Sequence, residues 1–204
     1  MIRTIADFAP RGVESGVGLA LQDDRERYLF FLAGTRHQHC SAGELFYAGI
    51  GGHLEAGEDW LTCAHREVNE ELGTDVEILP ASVTWHVPCE GRAQRVSVSD
   101  RPRPFALYEM IHPSGTPREG QIYRIVIYRA RLQGEPTALQ LEEVRAVLAL
   151  TEGQVIRGLE EKPTLAQLLK DGAELVAEQV RIDPGLELYP LGTARALALV
   201  LAQM

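Results

Sequence analysis

Over the first two thirds of the chain, apolar positions come as short runs rich in β-branched and aromatic residues. After that they shift to a helical spacing. SGVGLAL and RYLFFLAG read as two strands with QDDRE as the turn between them, and ELFYAGIGG as a third strand that ends in glycines. A helix is expected from about Glu58 to Leu72, stopped by Gly73. VEILPASVTWHV reads as one further strand. Residues 88–104 form a long polar excursion, of the length that usually carries function. FALYEMI and QIYRIVIYRARL are strands joined by the turn-rich HPSGTPREG, and EEVRAVLAL is a last strand. TEGQVIRGLEE follows with Thr151 as N-cap, and LAQLLKDGAELVAEQV and LGTARALALVLAQ are helical by periodicity. The organisation expected is a strand-rich domain over 1–160 and a helical C-terminal extension over 161–204. The extension is too small to bury its own core, so it should pack on the domain.

The predicted helix is the informative element. At about 100° per residue, Glu71 falls about 40° to one side of Glu67 and Glu70 about 60° to the other, so three carboxylates share one face. Leu61, Ala64, Val68 and Leu72 form a separate apolar stripe that can face a core. Arg66 lies one turn before Glu70 and can pair with it. Like charges this close repel unless a cation joins them, and a hard divalent ion with oxygen ligands suits the set. Gly51, Gly52 and Gly57 precede the helix and let the backbone approach a ligand, with the Gly51 carbonyl available to complete a coordination sphere.

Gly52, Glu58, Arg66, Glu67, Val68, Glu70, Glu71 and Gly73 stand in the register G-x5-E-x7-R-E-U-x-E-E-x-G-U, where U is bulky and apolar. That register resembles the Nudix box. The one departure is Thr74 at the final apolar position, beyond the carboxylate cluster. The resemblance implies an α+β fold, a mixed sheet sandwiched between helices. It also implies a metal-dependent pyrophosphohydrolase that cleaves a nucleoside diphosphate linked to another moiety, such as ADP-ribose or a nucleotide sugar. Glu67, Glu70, Glu71 and Gly51 would hold Mg²⁺ or Mn²⁺. Glu58 would steady the catalytic loop and Arg66 the glutamates. The general base would be a box glutamate such as Glu70 or a carboxylate outside the box. Glu143 leads the outside candidates, with Glu142 beside it and Glu109 behind. Two other classes stay open: an isomerase of isopentenyl diphosphate on the same fold, and a binding or regulatory domain without turnover.

Composition narrows the partners. The 204-residue chain has net charge -9 and a pI near 5.2, which argues against long nucleic acid and anionic membranes while leaving room for a small anionic substrate beside a metal. Arg92, Arg95, Arg101 and Arg103 thread the polar excursion, and Arg101 and Arg103 are candidates to grip substrate phosphates, although surface pairing explains them equally well. His37, His39 and Cys40 lie close together but lack a fourth ligand for zinc, so a polar loop is preferred. Cys63 is given no role, and Trp60, Trp85, Tyr108 and Tyr123 stack on a base or fill the core. Three scattered cysteines and a start without an apolar leader suggest a reducing cytoplasm. No apolar run reaches membrane-spanning length, and the apolar C-terminal helix either covers the sheet or supplies a homodimer interface.

Overall fold

A computed structural model describes residues 2–36 and 42–204. A short helix α1 (Ile5–Phe8) leads into β1 (Ser15–Gln22), β2 (Tyr28–Ala33) and β3 (Glu44–Ala48). Helix α2 (Trp60–Leu72) precedes β4 (Asp75–Leu79), β5 (Thr84–Val87), β6 (Gln94–Val96), β7 (Ala106–Ile111), β8 (Ile122–Gln133) and β9 (Val144–Leu150). Then come α3 (Glu152–Arg157), α4 (Leu165–Lys170), β10 (Glu174–Glu178), β11 (Glu187–Pro190) and α5 (Thr193–Leu201). The strands of the described residues join one mixed sheet, β10-β9-β2-β1-β8-β7-β5-β6, with β11 on β3, β3 on β2, and β4 on β8. The β1–β8, β5–β7 and β3–β11 pairs are parallel, and the rest are antiparallel. The architecture is α+β.

Helix α2 starts two residues later than the sequence suggests because Asp59 caps it, accepting from the N–H groups of Leu61 and Thr62, both at 2.9 Å. Gly73 ends it in the left-handed conformation (φ 63°), which a glycine adopts without strain. The helix packs on β1 and β4 through Cys63, Ala64, Val68 and Leu72, all fully buried. That docking turns the neighbouring carboxylate face toward the loop after β3. The loop is itself pinned to β1, where the N–H groups of Val17 and Leu19 reach the carbonyls of Gly52 and Ile50, each at 2.9 Å.

Three expectations change. VEILPASVTWHV is two strands, because Pro80 has no N–H to continue a ladder; β4 pairs with β8 and β5 with β6 and β7. The polar excursion contains a strand of its own, β6. The C-terminal extension is only partly helical. After α4, Gly172 at φ 93° turns the chain, and residues 174–178 pair with β9 as β10. Residues 187–190 then add a parallel strand to β3. The free edges of β9 and β3 offered unpaired backbone groups, and that tertiary pairing outweighs the helical periodicity. Helix α5 is the helix expected there. Its Ala196, Leu197 and Val200 are buried against the sheet and α3, so this apolar side covers the fold.

Candidate active site

A cavity of about 660 Å³ opens where α2, the glycine loop, the start of β9 and the C-terminal segment meet. Glu67, Glu70, Glu71 and Glu143 all line it, with Gly51 and Gly52. Helical spacing therefore brings the three α2 carboxylates to one space, and the sheet adds Glu143 from far along the chain.

Arg66 organises the cluster. Its Nε and Nη2 donate to the two carboxylate oxygens of Glu58 at 2.9 and 3.0 Å. Its Nη1 reaches Glu67 at 2.8 Å and Glu70 at 3.1 Å, and Nη2 also reaches the His53 carbonyl at 3.0 Å. Charge-assisted, bidentate contacts of this kind fix geometry as well as charge. Glu58 does not line the cavity. Hydrogen bonding from Arg66 holds its carboxyl below the usual carboxylate range, and it also accepts from the Glu55 N–H at 3.1 Å. The structure thus places Glu58 and Arg66 as the brace of the glutamate helix.

Glu71 is the most deeply set, with 6% of its surface exposed, and it accepts from the Gly51 N–H at 3.3 Å. Burial first, then repulsion from Glu67, pushes its carboxyl well above the ordinary range. Burial also raises Glu67 despite the opposing pull of Arg66. Gly52 lets Glu67 come this close, since a Cβ there would stand 2.3 Å from Glu67 Oε1. β1 takes the carbonyls of Ile50 and Gly52, and among the described residues no N–H claims the Gly51 carbonyl between them.

This donor set fits a divalent cation. Oxygen donors crowd a cavity where two carboxylates are disfavoured in their charged form, and the deficit is one of positive charge. Among the described residues no three acidic, histidine or cysteine side chains already converge to ligating distance, because Arg66 occupies Glu67 and Glu70. Binding a cation would require those side chains to turn from the guanidinium.

Glu143 is ion-paired with Arg36, whose Nη2 lies 3.5 Å from Glu142. Of the candidates outside the box, Glu143 lines the cavity, whereas Glu142 and Glu109 do not. Glu109 sits 3.7 Å from His86, while its neighbour Met110 faces the cavity. Arg101 and Arg103 are not brought to the carboxylates; they line a different hollow with Arg95. The guanidinium groups in the cavity belong to Arg36 and to Arg66, the latter already engaged with Glu67 and Glu70. His37, His39 and Cys40 lie outside the described residues. Cys63 is buried one turn before Glu67, and burial pushes its thiol up to about 12. Trp85 and Tyr108 are core residues, whereas Tyr123 reaches the cavity wall, flanked by His53 (ring centroids 4.6 Å apart) and His112 (5.7 Å).

Other lining residues carry no sequence signal of their own. Phe31, Phe46 and Tyr189 form an aromatic wall, with the Phe46 and Tyr189 ring centroids 6.3 Å apart. Tyr189 arrives only because β11 pairs with β3, placing it opposite Phe46. Glu14, just before β1, accepts from His53 at 2.9 Å, from His112 at 3.1 Å and from Arg118, tying the rim together.

Comparison with known proteins agrees with this geometry. The family model for the NUDIX domain matches residues 13–170, most of the chain, and the chain belongs to that family. It is accordingly a Nudix hydrolase, of a family that uses divalent metal and acts on small nucleotide-type substrates. The match runs beyond residue 160 to include α4. Similar solved structures include a NUDIX hydrolase from Nitrosomonas europaea (16% identity, 85% of this chain and 99% of that one, TM-score 0.47). Another is a MutT NUDIX hydrolase from Burkholderia pseudomallei (17%, 70% and 86%, TM-score 0.46). A third is an Ap4A hydrolase binary complex from C. elegans (16%, 71% and 85%, TM-score 0.43). No curated protein matches the chain. Among the described residues no helix is long and apolar enough to cross a membrane.

Proposed function

We propose that this hydrolase is an Mg²⁺- or Mn²⁺-dependent pyrophosphohydrolase that cleaves the phosphoanhydride of a nucleoside diphosphate linked to another moiety, such as ADP-ribose or a nucleotide sugar. The observation that carries the reading is the joining, in one cavity, of the carboxylates of Glu67, Glu70, Glu71 and Glu143 with an aromatic wall. The carboxylates suit a cation and the diphosphate it accompanies, and Phe31, Phe46 and Tyr189 suit a flat base.

Glu67, Glu70 and Glu71, with the Gly51 carbonyl, would hold the cation, which when bound neutralises phosphate charge and favours ionisation of water. Arg66 and Glu58 keep α2 and the glycine loop in register while the glutamates exchange partners. Glu143 is the base that takes the proton of the attacking water, with Glu70 the alternative inside the box. Arg36 orients Glu143 and offers its remaining N–H groups to a phosphate oxygen. Tyr189 and Phe46 hold the base and so fix which phosphorus faces the water. A homodimer would have to use a surface other than the buried side of α5.

The test is a panel of ADP-ribose, nucleotide sugars, dinucleoside polyphosphates and nucleoside triphosphates assayed with Mg²⁺, with products identified by mass. Release of a nucleoside monophosphate from a diphosphate-linked substrate is expected. Hydrolysis confined to triphosphates, or none across the panel, overturns the reading.

A further inference from the structure

The arginines of the polar excursion remain unexplained by the cleft. Arg95, Arg101 and Arg103 line a hollow of about 1070 Å³ on another part of the molecule, and Arg3 from the N-terminal segment joins them. No acidic residue is in the lining, although the chain as a whole carries a net charge of -9. The carboxylates beside the wall, Asp7 and Asp100, are taken up by backbone N–H groups: Asp7 accepts from those of Arg3 and Thr4 at 2.9 and 3.0 Å, and Asp100 from that of Ile5.

The grouping is built by specific backbone contacts. The Arg3 carbonyl accepts from the Ser99 N–H at 3.0 Å, and Asp100 accepts from the Ile5 N–H at 2.9 Å. These bonds stitch the N-terminal segment to the excursion and carry Arg3 beside the other three. The guanidinium groups of Arg95, Arg101 and Arg103 meet carbonyls and a ring rather than carboxylates. Arg101 donates to the carbonyls of Ser99 and Asp100 at 3.3 and 2.9 Å, and Arg103 donates to the Ser82 carbonyl. Arg95 lies over the Trp85 ring, 5.1 Å from its centroid. Among the described residues none of the four makes an ion pair, and Arg103 buries its Nε without an acceptor. Four like charges gathered on one wall without a direct ion pair raise the energy of the empty hollow, and an anion with several oxygens relieves it.

We propose that this hollow is a second binding site, separate from the carboxylate cleft, for a small, multiply charged phosphate compound. Guanidinium forks match phosphate oxygens, and Ser97 and Ser99 add hydroxyls to the same wall. The site is independent of the cation-dependent chemistry. It acts without metal, whereas the unmetallated cleft repels phosphate through its own carboxylates.

The test is calorimetric titration of inorganic pyrophosphate into the full chain in the presence of EDTA. One site per chain is expected, weakened by added salt. Arg3→Gln combined with Arg95→Gln, both at exposed positions, should weaken binding about tenfold or more with an unchanged melting temperature. Arg36→Gln in the cleft should leave binding as in the wild type. Absence of saturable binding to the wild type, retention of full affinity in the double variant, or loss of affinity in Arg36→Gln would each overturn the proposal.

Discussion

Replacing Arg66 by methionine keeps an unbranched apolar stem but removes the guanidinium and every bond it makes in the brace. Glu58 and Glu67, whose side chains are only 9% and 13% exposed, would each lose their cation. Stranding a partner of a buried ion pair costs about 3–5 kcal/mol. The Arg66 side chain is itself 22% exposed, so water screens part of the loss and the lower end, about 3 kcal/mol, applies. For a chain of this size each kcal/mol moves the melting temperature by about 2–4 °C, so Arg66→Met should lower it by about 6–12 °C. The pH dependence follows from Glu58. Its folded-state carboxyl is held low, chiefly by Arg66, so its stabilising contribution is present above the ordinary carboxylate value and lost as pH falls through the depressed one. The deficit of the variant should therefore be full near pH 7 and shrink on acidification below about pH 4. Circular-dichroism melts in EDTA measure both. Adding Mg²⁺ should restore part of the loss, since a cation among the glutamates replaces the missing charge. A loss under about 2 °C near neutral pH, on the same scale, would refute the brace.

Further outcomes follow from neighbouring residues. Glu71 has a raised folded-state value, so its contribution is fully present below the ordinary carboxylate range and is lost as pH rises through the raised one. Metal-free protein should thus lose stability on going up from about pH 4.5, and Glu71→Gln should flatten that dependence in pH-resolved melts; equal slopes would contradict the assignment. Gly52→Ala should displace the Glu67 carboxylate and weaken Mn²⁺ binding while the fold persists, measured by titration and circular dichroism. Buried Cys63, its thiol pushed up to about 12 first by burial and then by Glu58 and Glu67, should resist maleimide under native conditions, while exposed Cys89 labels; peptide mass mapping distinguishes them.

The part of the site that lies on one helix was legible in the sequence, because α-helical spacing is short-range and rigid. Glu67, Glu70 and Glu71 needed only the period, and Gly73 marked the stop. Of the residues brought in by pairing across long sequence distances, Glu143 was legible only as one candidate among several, and Arg36 and Tyr189 were not legible at all. Tyr189 sits in a four-residue strand whose place depends on the edge of β3, and Arg36 and Glu143 meet because β2 and β9 are neighbours. The misread stretch 174–178 had one usable sign, the Asp171-Gly172 pair, which marks a turn more than the interior of a helix. Arg101 and Arg103 were read by charge alone, and charge does not say which face of the sheet a loop covers. Only the stitching of Ser99 and Asp100 to the N-terminal segment decides that.

The central claim is that the carboxylates of α2 exist to take a divalent cation. Titration of Mn²⁺ into the wild type and into Glu71→Gln, followed by calorimetry at neutral pH with both proteins shown to be folded, tests it most directly. The account predicts a saturable site in the wild type and affinity at least about tenfold weaker in the variant. Equal binding by the two proteins, or no binding to the wild type, would contradict it.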